Sequence, residues 1–380
     1  MGTPSRRIGQ LDLLRAVAIF LVLGAHKYAV SLWRNSGWMG VDLFFVLSGF
    51  LVSGLLFKEF IERRGIRLDR FLIRRALKIY PAFYFMLAAT LAIELYRGAP
   101  VRSGRFLAEM LFVQNYLPSI YGHTWSLAVE EHFYILLSIG LVAASRRAPD
   151  DRFSLRVVPA AAAFVMVVCL CLRIATALRP ADGPFDVRRY LCPTHLRLDS
   201  LAFGVLLSYW YHFHHDRFIG IARRRGAILA TSALLIAPSV WLGVENLSVV
   251  TLGFTGLYLG FGGILAVCLA LPRREGADTS ALGLAGSLLA RIGAYSYGIY
   301  LWHMLVVSLG VSLLRRAYGG PLPYLLEFVL YAAISVLLGV VMTRLVELPV
   351  LRLRDRLFPS RAGVVAGPIR PGGAPDGRGA

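Results

Sequence analysis

Arg15 and His26 stand eleven positions apart within one apolar run. On a helix, eleven steps of 100° return to within about 20° of the same face and rise about 16 Å. One stripe of a membrane helix would then carry a guanidinium near one surface and an imidazole in the far half. An ionisable group in hydrocarbon is costly unless paired or hydrated, so each is a candidate for function. The alternatives are an interfacial Arg15 that snorkels and a His26 that ends its helix near the headgroups. Asp42 lies about three residues into the next apolar run, at the expected depth of His26. It either caps that helix or turns inward. The segment His123–Tyr134 is dense in polar groups, and Ser126 suits a helix cap there. Glu130 would lie about 6 Å beyond Ser126, again level with His26. Its neighbour Glu131 points about 100° away, and either carboxylate could be the inward one. An imidazole with carboxylates in a dry site is an arrangement for general acid/base work.

A second constellation is basic. Arg63, Arg64, Arg67 and Arg70 read as a solvated loop. Arg74, Arg75 and Lys78 precede Pro81 at helical spacing, so two or three share a face. They suit either lipid headgroups or a phosphorylated cofactor, since arginine grips phosphate bidentately. Weaker signals follow. Arg197 and Asp199 fit a mutual pair or a substrate contact, and Arg173 and Glu94 could neutralise each other. His303, in mid-helix, reads as a hydrogen-bonded core histidine. The run His212–His215 lacks nearby carboxylate or cysteine ligands, so no metal is expected. No GxxxxGK[ST] loop is present, which argues against ATP as the driver.

The elements that must position these residues are membrane helices. Of the 380 residues, 57% are apolar and 17% charged, against ~45–50% and ~25% in soluble domains. The expected fold is all-α and polytopic, with about ten transmembrane helices near 11–30, 39–57, 77–96, 126–145, 157–178, 197–213, 227–243, 248–271, 292–314 and 324–346. Four cysteines without a CxxC pair support neither a zinc ribbon nor a disulfide framework. Lys and Arg total 41 against 22 Asp and Glu, for a net +19. In this class the excess reads as a positive-inside signal and attraction to anionic lipid, not as nucleic-acid binding. With the N-terminus in the cytoplasm, 28 basic residues fall in inner segments and 11 in outer ones, which predicts both termini inside. Asp12 and Arg15 interrupt the first apolar run, so it reads as a helix and not as a signal peptide. Residues 1–358 are expected to form one membrane domain. The Gly/Pro/Arg-rich stretch 359–380 reads as a disordered tail.

Taken in order, several blocks resemble the acyltransferase 3 family of membrane-bound bacterial O-acyltransferases. They are Leu13-Leu-Arg15 with His26, Gly40–Gly49, Arg74–Pro81, Trp125–Tyr134, Arg197-Leu-Asp-Ser200, Tyr297–His303 and Glu347-Leu-Pro349. The resemblance spans about residues 8–352. It implies transfer of an acyl group, usually acetyl from acetyl-CoA, to a hydroxyl of a sugar or lipid-linked glycan in the bacterial inner membrane. Arg15 and His26 match the family's arginine–histidine pair, and Arg75 and Lys78 match its RxxR pair with lysine in second place. Some relatives carry a fused extracytoplasmic esterase-like domain; the expectation here is delivery without one.

Residues and resemblance together suggest a mechanism. Arg15, Arg74, Arg75 and Lys78 would hold the CoA phosphates on the cytoplasmic side. His26 would be the general base, oriented by Asp42 or Glu130. A covalent acyl-histidine is the variant. Trp125, Arg197 and Asp199 are the candidates for acceptor contact. The bilayer and a carbohydrate or lipid-linked glycan are the expected partners. Two other classes stay open: a secondary transporter using the same polar path, and a polyprenyl-phosphate glycosyltransferase.

Overall fold

In hydrocarbon only a helix satisfies every backbone N–H and C=O within its own segment, so each long apolar run becomes one. A computed structural model of the chain describes residues 9–27, 31–147, 154–179, 183–271 and 281–360. Among these there is no strand. The helices that matter here are α1 (Gly9–His26), α2 (Gly40–Arg63), α3 (Leu68–Tyr96), α4 (Ser103–Met110), α5 (Trp125–Arg147), α6 (Val157–Leu178) and α7 (Leu198–Phe213). They continue with α8 (Arg225–Leu242), α9 (Phe254–Ala270), α10 (Ala281–Ala294), α11 (Ser296–Leu305), α12 (Val311–Tyr318), α13 (Tyr324–Met342) and α14 (Leu348–Leu357). Nine helical spans among the described residues are long and apolar enough to cross a membrane; α11–α12 form one and α13–α14 another. The chain is a multi-pass membrane protein.

All ten expected helices are present, with instructive differences. The expected sixth, α7, has only 16 residues, about 24 Å of rise. It is held by close packing on α2. A Cβ at Gly49 would fall on the Leu201 carbonyl, and one at Gly204 on the Val46 carbonyl. Small residues let the two backbones approach. The basic segment expected as a loop through Arg70 is instead helical from Leu68. Leu, Arg, Ala and Lys are good helix formers, so one continuous helix carries Arg70, Arg74, Arg75 and Lys78. The expected ninth helix is preceded by α10, whose Gly293 lies against the Asp12 carbonyl of α1.

The last span was expected to end near 346 and runs to Leu357. Pro349 has no N–H to offer, and in an α-helix its ring would crowd the carbonyl of Leu345. The backbone widens into a π turn at Thr343–Glu347, a common local adjustment. It also carries Glu347 to the central cavity. The expected tail falls outside the described residues except for Pro359 and Ser360, as do Arg6, Arg7, Arg273 and Arg274.

Candidate active site between the helices

A cavity of about 270 Å³ opens between α1, α2, α3, α5 and α11. One end is polar and basic: Arg15, Arg75 and Lys78, with Glu347 beside them. The other end is closed by Ser126 and Tyr300. Both carboxylates of the Glu130–Glu131 pair line the wall between, because the cavity wraps enough of α5 to meet neighbouring positions. The Tyr134 hydroxyl donates to Glu130 at 2.6 Å and lies 2.6 Å from Ser48 Oγ. The Tyr80 hydroxyl donates to Glu131 at 3.1 Å. The Arg75 guanidinium stands 5.3 Å from the Tyr134 ring. Arg15 is paired with Asp12 one turn back at 3.0 Å.

A second chamber of about 200 Å³ shares Leu55, Arg75 and Lys78 with the first and adds Glu59, Arg70, Arg74 and Arg354. Arg74 reaches Asp355 at 3.1 Å and donates to the Phe358 carbonyl. Arg354 pairs with the same Asp355 at 2.8 Å. The predicted cluster of Arg15, Arg74, Arg75 and Lys78 is thus gathered on one path. Arg354 joins it from α14. Sequence reasoning counted that residue only as an inner charge.

At the far end, His26 is oriented by its own helix. Its Nδ1 lies 3.0 Å from the Val22 carbonyl. A carbonyl can only accept, so Nδ1 carries the proton of the neutral ring and Nε2 the lone pair. This corrects the expectation that Asp42 or Glu130 fixes the tautomer. Asp42 is drawn away by Arg197, whose guanidinium donates to it at 2.7 Å, and Ser200 adds a contact at 3.3 Å. What meets the His26 ring is two more histidines. The His303 centroid lies 4.9 Å away and that of His123 6.5 Å away. Tyr300 stands between this cluster and the cavity, donating to the His123 carbonyl at 2.7 Å and lying 2.6 Å from Ser126.

The remaining predicted groups form a buried lattice. Arg197, the residue capping α7, and Asp199 in its first turn are not a mutual pair. Arg197 takes Asp42, and Asp199 takes Arg173 of α6. Arg173 is thereby unavailable to Glu94, because α6 packs on α7. Trp125 does not line the cavity; it lies edge-on to Phe45 and 5.7 Å from the Arg197 guanidinium. Among the described residues no group of three or more His, Cys, Asp and Glu is arranged to hold a metal ion.

Fold and cavity together define a multi-pass membrane protein with a polar, cation-mouthed path between its helices. Residues 8–344 match the family described as Acyltransferase domain, and the chain belongs to that family. It is 25% identical over 363 residues to a peptidoglycan O-acetyltransferase of Listeria monocytogenes, covering 90% of this chain and 56% of that protein. It is 26% identical over 386 residues to a putative peptidoglycan O-acetyltransferase of Bacillus subtilis, covering 94% and 57%. A putative O-acetyltransferase of Staphylococcus aureus is 27% identical over 325 residues, covering 80% and 51%. The chain spans about half the length of the curated relatives it matches. No solved structure matches.

Proposed function

We propose that this chain moves an acyl group, acetyl by analogy with its relatives, from acyl-CoA to a hydroxyl of a cell-envelope glycan or glycolipid, within the bacterial inner membrane. The observation that carries this reading is a cavity with a cationic mouth whose closed end abuts a histidine cluster. Arg15, Arg75 and Lys78 line one end of a cavity whose other end, at Ser126 and Tyr300, adjoins His26, His123 and His303. CoA carries two diphosphate phosphoryl groups and a 3′-phosphate at one end and a thioester at the end of a long thin arm. Charge is wanted at one end of such a ligand and a base at the other. Arg74 and Arg354 in the outer chamber extend the phosphate site. The pantetheine arm fits the run past Tyr134 and Glu130.

In the reaction, His26 Nε2 takes the proton of the acceptor hydroxyl. The oxygen attacks the thioester carbon, the C–S bond breaks, and CoA leaves as the thiol after reprotonation. The cationic mouth faces the cytoplasm and the histidine end the opposite side, in line with the arginine bias. Residues 1–358 act as the membrane domain that performs this transfer.

The experiment is steady-state thioester turnover by the purified chain. Arg15→Ala and Arg75→Ala should each raise KM for acetyl-CoA about tenfold or more, while a short pantetheine thioester is affected less, since one lost charge-assisted phosphate contact is worth ~1.5–3 kcal/mol. Equal losses with both donors would mean that these residues only hold the fold.

A further inference from the structure

His123 and His303 are buried, 3% and 0% exposed, and the mechanism above leaves both without a task. Neither ring nitrogen of His123 makes a well-formed hydrogen bond, the nearest backbone groups being those of Tyr300 and Leu301, and Nε2 of His303 has no partner. Buried polar atoms without partners are rare and costly, and a cluster of them asks for a reason. His303 Nδ1 lies 2.6 Å from the Tyr300 carbonyl, so it is the proton-bearing nitrogen, as in His26. Two rings on different helices therefore present bare Nε2 lone pairs in the same region. The His123 centroid lies 4.7 Å from that of His303, and His303 lies 4.9 Å from His26. At such spacings a small ring rotation brings nitrogens within one N–H···N hydrogen bond.

Among the described residues no carboxylate hydrogen-bonds to any of the three rings. Glu327, the carboxylate paired with Lys27 beside His26, is bound by both Lys27 and Arg315, at 2.5 and 2.8 Å. Tyr121 and Tyr300 meet the cluster with their rings, their hydroxyls being held by Thr90 and by Ser126 and the His123 carbonyl, and Glu130 lies on the cavity side of Tyr300. Burial pushes the His123 imidazole down to about 3, so that ring is neutral at physiological pH. A lone imidazolium at His26 would have no carboxylate to stabilise it.

We infer that His26, His123 and His303 act as one three-imidazole base, in which the proton taken from the acceptor hydroxyl is shared through N–H···N hydrogen bonds. This rests on the reading of His26 as general base. The step balances as before: the acceptor O–H and the thioester C–S bonds break, the ester C–O bond forms, and the proton held by the unit ends on the departing thiolate. Neutral imidazoles replace the carboxylate partner that sequence reasoning assigned to Asp42 or Glu130.

The test compares His26→Gln, His123→Gln and His303→Gln in nanodiscs, each first shown to bind CoA. His26→Gln should lose about a hundredfold or more in kcat. His303→Gln and His123→Gln should lose about tenfold, with KM for acetyl-CoA unchanged. Their acid limb should move to lower pH, because a protonated His26 without an acceptor partner gives up its proton more readily. If His26→Gln retains full turnover, the reading of His26 as base fails, and the shared unit with it. If His26→Gln is inactive while the other two keep wild-type kcat and pH profile, the shared unit alone fails. Should a variant not fold, ¹⁵N-histidine spectra of the unaltered protein decide. Rings of His26 and His303 that shift together with one apparent pKa support the unit; His26 titrating alone overturns it.

Discussion

Two titratable residues carry predictions of their own. The first is His26, whose tautomer is set by the Val22 carbonyl one turn back. Glutamine at that position can keep the carbonyl contact but cannot take a proton. His26→Gln should therefore bind CoA normally and lose about a hundredfold or more in acetyl transfer, within what general-base catalysis contributes. Binding and turnover assayed on the same detergent preparation check this, and near-normal turnover would remove His26 from the chemistry. The second is Glu109, in the short helix before the loop that bears His123. One of its oxygens accepts from the Ile120 amide at 3.1 Å and the Thr124 hydroxyl at 2.8 Å; the other is buried without a partner. Burial lifts this carboxyl from 4.5 to about 7. Folding therefore favours the protonated form. The resulting stability is complete below pH 4.5, declines as pH rises, and is gone above about 7, on the order of 3 kcal/mol in all. Thermal unfolding from pH 5 to 8 should show a melting temperature that falls more steeply in the unaltered protein than in Glu109→Gln. Parallel curves would mean that Glu109 is ionised throughout. Arg15, Arg75, Lys78 and Glu130 were legible as a polar path from spacing alone. The partners of Asp42 and Arg173 were not, because an ion pair between α2 and α7, or α6 and α7, depends on which helices touch.

At the scale of elements, apolar periodicity located every long span but not its ends. Charged turns continue a helix beyond hydrocarbon without any change of backbone, which is why α3 begins at Leu68 and α14 runs to Leu357. The second of these matters for the site. The terminal helix α14 folds back on α3, and its Asp355 is held between Arg74 and Arg354. The polar end of the last span is the signal the sequence offered, and Glu347-Leu-Pro349 marks the π turn within it. If Arg354 supplies one charge-assisted contact to a CoA phosphate, Arg354→Ala should raise KM for acetyl-CoA about tenfold. It should leave a pantetheine thioester untouched and spare kcat. Titration calorimetry with CoA gives an independent measure. Unchanged affinity would make α14 a structural strap only.

For the whole molecule, the described residues form a bundle with short connections, and the proposed reading places the chemistry between its helices. The two ends of the cavity then have separate duties. On the proposed reading, phosphates dock at the Arg15 end and the acceptor arrives at the His26 end, about 16 Å along α1. The measurement that tests this division most directly uses proteoliposomes in which the orientation of the chain is read by labelling a cysteine placed at Ser119. Acetyl-CoA is supplied on one side at a time, with a soluble glycan acceptor on the other. Acetyl transfer should occur only when the donor is on the side opposite Ser119, and Arg75→Ala should weaken it. Transfer with donor and acceptor both confined to the Ser119 side, or no thioester turnover from either side, would contradict a path that runs from the arginines to the histidines.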